Sequence, residues 1–216
     1  TSAAVAATDT PKIIAPLNAQ QEVIFLDFGD EKGLAETLSK GDVCAVIIEA
    51  IQGVGGLDMP TEKFMKQVEK SCRETDTCLV ADEVQSGFGR SGKFFAFQHY
   101  GITPDIISMA KGMGNGFPVG GILAHPNIKP WYGMLGTTFG GNHLACQASL
   151  AVLEVLKKKQ LMKHATELGE AFIKRAERIP GVKKVKGRGL MLGLEFDFEV
   201  GELRKKLIYE HRIFTG

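Results

Sequence analysis

Apolar residues along this chain gather in short, nearly unbroken runs: 22–28 (EVIFLDF), 43–51 (VCAVIIEAI), 77–84 (TCLVADEV), 105–110 (DIISMA) and 120–125 (GGILAH). Runs of this length without polar alternation predict strands buried on both faces, as in a parallel sheet covered by helices. Between them the period changes. Residues 61–74 set Phe64, Met65, Val68 and Cys72 on one helical face, with Thr61 after Pro60 as N-cap. Residues 31–41 predict a shorter helix with Gly41 at C′. Alternating strand and helix is α/β grammar, and right-handed crossovers would bring the strand ends to one edge.

The last third differs. Residues 143–160 and 161–179 predict two consecutive helices, the second carrying Leu168, Phe172, Ile173 and Ala176 on its apolar face. Two strands around Gly187 and Gly189 follow within 182–196, then a helix at 201–212. The expected division is a larger α/β part, 1–144, and linking helices with an incomplete small α+β part, 145–216. No internal repeat or low-complexity tract is visible.

With 216 residues and 44% apolar content, the chain is long enough to bury a core in one or two domains. A formal charge of +1 offers no electrostatic footprint for nucleic acid or an anionic membrane. No 18-residue apolar run marks a membrane span, and TSAAVAATDT lacks the basic and apolar regions of a signal peptide. The opening on Thr1 in place of a methionine and the end HRIFTG predict a segment of a longer protein. Four cysteines (Cys44, Cys72, Cys78, Cys146) form no C-x-x-C pair, which argues against zinc, and Cys44 and Cys146 fall in apolar runs as reduced cytosolic thiols do. A cytoplasmic setting is the expectation.

Candidate chemistry starts at Lys111, where an apolar run empties into GMGNG. Burying a lysine is costly unless it is paired or its pKa falls. It is either a strand-end side chain reaching solvent or a partly desolvated amine acting as a nucleophile toward a carbonyl. Ligands in open α/β sheets bind beyond the carboxyl ends of strands. Those ends here carry Glu49, Asp82, Glu83 and Lys111, followed by the glycine-rich turns 84–92 and 112–116. A third such turn, 136–142, offers hydroxyls and amides to an anion before a helix starting near His143. A carboxylate, a lysine and an anion site together suit pyridoxal phosphate, whose ring needs an acid at its nitrogen to serve as electron sink. No dinucleotide fingerprint or P-loop is complete. His125 and His143 read as turn residues and His99 as surface.

These residues also carry a resemblance. The stretch 79–121, with D-E-V-Q, G-x-G-R, P-D and A-K-G in order, resembles the signature of the class III, ornithine-type aminotransferases. TTFGGNHLACQASLAVLEVL and GRGLMLGLEF are similar to later parts of that family, and the nearest subgroup handles acetylornithine and succinylornithine. The resemblance implies the fold type I, aspartate aminotransferase-like architecture and pyridoxal 5'-phosphate as cofactor. It further implies a homodimer with shared active sites, and transfer of an ω-amino group to 2-oxoglutarate in arginine metabolism. It makes Lys111 the Schiff-base lysine and proton carrier, and Asp82 the partner of the ring nitrogen. Val84 would pack on the ring and Gln85 would reach its hydroxyl. Thr138 would bind the neighbouring subunit's phosphate, and Thr137 would lie near substrate. Glu83 is placed among the cofactor-binding positions without chemistry of its own. No metal is implied.

The chain departs from the family in 49–56, where Ala50 replaces a proline and Val54 a glutamate that helps switch between donor and acceptor; Leu135 stands where many members have His. The family's phosphate loop, its stacking aromatic and one substrate arginine are expected before Thr1, and a second arginine beyond Gly216. Ornithine or 4-aminobutyrate stays open as donor, and a non-catalytic α/β module is the reading from another class.

Overall fold

The computed structural model describes Pro16 and residues 22–216. The TSAAVAATDT stretch lies outside the described residues. Four strands form one sheet in sequence order: β1 (Ala45–Ile48), β2 (Cys78–Asp82), β3 (Ile106–Met109) and β4 (Gly121–Ala124). β1, β2 and β3 run parallel, with Ile48 beside Ala81 and Asp82 beside Ser108. β4 returns antiparallel to β3. This corrects the expectation that every strand ends at one edge, because the short 110–120 connection folds the chain back without a crossover.

Helix α1 (Glu31–Leu38) starts at Asp30, whose carboxylate accepts from the Gly33 amide at 2.9 Å. Its cap is Ser39, so Gly41, left-handed at φ 71°, lies one position beyond the expected C′. Helix α2 (Glu62–Glu74) is capped by Thr61 as predicted, its hydroxyl accepting from Phe64 N at 3.2 Å. The apolar face of α2 buries Phe64, Met65, Val68 and Cys72 against Leu34, Leu38, Leu79 and Ala81. At roughly 1.5–3 kcal/mol per fully buried large side chain, this seam is the main adhesive of the layer.

The sheet is less enclosed than its apolar runs suggested. Among the described residues Ile47 and Ile122 on one face and Leu123 on the other are left at 50–56% exposure. Residues 22–27 form no strand, and Ile24 and Phe25 are exposed. A strand needs a partner as well as hydrophobicity, and this run precedes α1 without pairing with the sheet.

Helices α3 (His143–Lys158) and α4 (Leu161–Ala176) follow, then strands β5 (Val182–Arg188) and β6 (Met191–Phe196) as an antiparallel hairpin, and α5 (Gly201–Tyr209). α4 buries Ala165, Gly169 and Ala176; of the expected face Ala176 is buried and Ile173 half-buried, but Leu168 and Phe172 are exposed. The reason is close approach: a Cβ at Gly169 would collide with the backbone of Gly189 in the hairpin turn, so small residues mark the contact. Cys72 is fully buried, which pushes its thiol up to about 11, whereas Cys44 and Cys146 are exposed rather than packed inside. No helix among the described residues is long and apolar enough to cross a membrane.

Candidate active site

Parallel pairing of β1, β2 and β3 brings Glu49, Asp82 and Lys111 to one sheet edge. Asp82 is half-buried; its Oδ1 accepts from Val84 N at 3.0 Å and from Ser108 Oγ at 3.1 Å. Among the described residues Oδ2 has no hydrogen-bond partner. The carboxylate is thus oriented by the neighbouring strand while one oxygen stays available. Glu49, one strand over, receives the Gly53 amide on both oxygens at 3.2–3.3 Å. Burial raises its carboxyl above the usual range, the Gly53 bond opposes this, Asp82 adds to it and Lys111 opposes it. The three charges therefore share one local field.

Lys111 opens a 3-10 turn, Lys111–Met113, and has a left-handed φ of 42°. Phe88 (56°) and Asn115 (47°) share that unusual region. Side chains there cost on the order of 1 kcal/mol and concentrate at functional sites. Gly112 lies against Phe88, and a Cβ on Gly114 would strike the Phe117 carbonyl, so the GMGNG turn needs its glycines. Lys111 is exposed rather than partly desolvated as expected, and with Arg90, Asn115 and Phe117 it lines a cleft of ≈ 430 Å³.

Glu83 turns the other way. Strand alternation sends it under the sheet edge, where it is 1% exposed. Its Oε2 accepts from Ser86 Oγ (2.7 Å) and Ala96 N (2.9 Å), and its Oε1 from Phe97 N (2.8 Å). The Glu83 carboxylate, expected among the cofactor-binding positions, is bound inward and holds the 86–97 loop to the end of β2. An aromatic chain (Phe88, Phe94, Phe95 and Phe97, neighbouring centroids 4.7–5.6 Å apart) stiffens the same loop. His99 is not a surface residue either; half-buried, its Nε2 meets the Ser91 carbonyl at 3.1 Å.

Val84 and Gln85 follow Asp82 and are half-buried. The Gln85 carboxamide occupies the space a Cβ on Gly53 would need, tying the β1 and β2 loops together. Thr137 and Thr138 are exposed and do not line the Lys111 cleft. Thr137 Oγ1 accepts from Gly140 N at 3.1 Å, and Asn142 caps α3 by accepting from Ala145 N. Two residues of the site escaped the sequence reading. Ser108 sits at an ordinary strand position whose meaning comes from pairing alone, whereas Arg90 was visible inside G-x-G-R.

The residues fit pyridoxal phosphate: an oriented carboxylate with a free oxygen, a lysine at the adjacent strand end and a glycine-lined cleft. The family model described as Aminotransferase class-III matches residues 6–212. An acetylornithine aminotransferase of Methanosarcina acetivorans is 39% identical over 183 residues, 84% of this chain and 46% of that protein. One from Bacillus subtilis is 40% identical over 189 residues, 85% of this chain and 49% of that protein. The crystal structure of an ornithine aminotransferase from Toxoplasma gondii superposes with a TM-score of 0.91 at 29% identity, covering 100% of this chain and 54% of that one. The chain spans about half the length of the curated relatives it matches. On fold and sequence alike, this chain belongs to the class III aminotransferases, a pyridoxal phosphate-dependent family.

Proposed function

We propose that the full-length protein is an aminotransferase that moves the ω-amino group of N-acetylornithine or N-succinylornithine to 2-oxoglutarate, a step of arginine biosynthesis. The observation that carries this reading is the meeting of Lys111 and an Asp82 with one free oxygen at neighbouring strand ends. Pyridoxal phosphate supplies an aldehyde that condenses with amines and a ring that draws electrons from the carbon bearing the substrate nitrogen. Lys111 would hold the cofactor through Nζ, and in turnover Nζ takes a proton from the donor carbon and returns it one position away. Asp82 Oδ2 would keep a proton on the ring nitrogen, Val84 would pack on the ring face, and Gln85 would hydrogen-bond its hydroxyl.

Thr138 would serve the phosphate of a second copy, with Thr137 near that copy's substrate. The apolar exposure around them (Trp131 67%, Leu135 76%, Phe139 80%, Leu144 71%) supports a homodimer. We take 1–144 as part of the cofactor-binding domain and 145–216 as linking helices with part of a small domain. Four free cysteines accord with a reducing cytoplasm. Ornithine is the second reading for the donor, because position 54 carries an exposed valine (91%) in place of an acidic side chain that could sort donors.

Full-length protein with pyridoxal phosphate, 2-oxoglutarate and a panel of ω-amines tests the reading. Highest kcat/KM is expected for an N-acylornithine. Borohydride treatment should fix the cofactor on the Lys111 peptide in mass spectrometry. Preference for a donor lacking the ornithine skeleton, or trapping on another lysine, refutes it.

A further inference from the structure

Lys186, on β5 of the hairpin, is a charged residue to which the reading above gives no task. Its side chain is only 18% exposed, and its Nζ lies 2.9 Å from Asp58 Oδ1 and 3.0 Å from Glu195 Oε2. Glu195 belongs to β6, and its other oxygen is held by Lys183 Nζ at 3.0 Å. Asp58 closes the loop that follows β1, since its carbonyl accepts from Gln52 N at 3.0 Å. The ion pair therefore joins the hairpin to the 52–58 loop, two parts of the chain far apart in sequence.

Packing holds the same loop to the hairpin. Leu57 has a left-handed φ of 60°, and a Cβ on Gly193 would come within 2.9 Å of its side chain, so the loop lies directly on β6. The other end of the loop reaches the candidate active site. Gly53 N donates to the Glu49 carboxylate, and the Gln85 carboxamide fills the space a Cβ on Gly53 would need. Among the described residues no hydrogen bond fixes that carboxamide, so Gly53 is the wall that limits where it can go.

We infer that Lys186 is a positioning residue: by pinning Asp58 to the hairpin it fixes the 52–58 loop, and through Gly53 it fixes the Gln85 carboxamide. The inference rests on the transaminase reading for the task of Gln85, which is contact with the cofactor ring. A purely structural pair would stabilise the fold and leave cofactor affinity alone. Asp58 is 48% exposed, which keeps the expected effect modest. Pairs of this exposure shift an equilibrium by up to about fivefold.

The test uses full-length protein loaded with pyridoxal phosphate, as wild type, Lys186→Met, Lys186→Arg and Asp58→Asn. Hydrogen exchange in the peptide spanning 52–58 should quicken roughly threefold to fivefold in Lys186→Met and in Asp58→Asn. It should return toward wild type in Lys186→Arg, which keeps the charge. The Kd for pyridoxal phosphate should rise by a similar factor in the same two variants. It should not rise further when Lys186→Met is added to Gln85→Ala, because the effect passes through that side chain. Unchanged loop exchange overturns the proposal, as does faster exchange with an unchanged Kd, or a rise in Kd that persists without Gln85. Asp58→Asn, nearly isosteric, decides the matter should Lys186→Met fail to fold. Neither readout depends on turnover. Wild type that binds pyridoxal phosphate yet transaminates no amine removes the functional reading and leaves the role of Lys186 to exchange and Kd.

Discussion

Ser108 Oγ donates to Asp82 Oδ1 at 3.1 Å across the parallel pair β2–β3, fixing the carboxylate from a strand 26 residues away in sequence. Asp82→Asn keeps the shape and removes the charge. We expect it to retain much of its cofactor and to lose kcat by orders of magnitude, because the charge developing in the transition state loses its support. Ser108→Ala leaves Asp82 charged but less oriented, and its expected loss is about fivefold, the worth of one ordinary hydrogen bond. Equal losses in the two variants, or near-normal kcat in Asp82→Asn, would contradict the roles given to them.

Glu83 should matter for stability rather than for chemistry. Glu83→Ala strands the Ser86 hydroxyl and the Ala96 and Phe97 amides in the interior. At about 1–3 kcal/mol for each unsatisfied buried group, and with partial relaxation, a loss of at least about 3 kcal/mol is expected in urea unfolding. A change below about 1 kcal/mol would mean that water enters and satisfies the loop.

Glu49 gives a pH dependence with a definite sign. Its folded-state carboxyl is raised above the ordinary 4.5, chiefly by burial. The folded protein thus binds this proton more tightly than the unfolded chain, and the favourable contribution, complete below about 4.5, is lost as pH climbs through the raised value. Glu49→Gln cannot ionise and still accepts from Gly53. Its stability relative to wild type should therefore improve as pH rises above about 4.5 and then level off. A difference that is flat, or that runs the other way, excludes this account of Glu49.

Thr138 can be assigned to its own or a neighbouring site by complementation. Full-length Lys111→Ala and Thr138→Ala subunits are each expected to be inactive, and a mixed dimer with shared sites holds both lesions in one site and none in the other. Random exchange of equal amounts makes about half the dimers mixed, so roughly a quarter of all sites should regain activity. No recovery, with exchange verified by mass, would return Thr138 to its own chain.

Periodicity and local chemistry were enough for much of the layer. Thr61 capping α2, the buried face of Phe64, Met65, Val68 and Cys72, and β1, β2 and β3 are all consequences of neighbours within a few residues. Lys111 and Asp82 could be singled out for a related reason: a charged group that ends an apolar run falls at the carboxyl end of a strand, where open α/β sheets bind ligands. Side chains whose role depends on a distant partner were beyond that reach. Glu83 reads like Asp82 until alternation turns it inward onto the amides of Ala96 and Phe97. Leu168 and Phe172 carry helical periodicity, yet backbone contact between Gly169 and Gly189 decides which face of α4 is buried. Residues 22–27 are as apolar as any strand and stay unpaired, because pairing belongs to two segments and hydrophobicity to only one. Arg90 stands in plain view within G-x-G-R, but only the packing of the β5–β6 turn on its backbone shows that it is held at the cleft of Lys111.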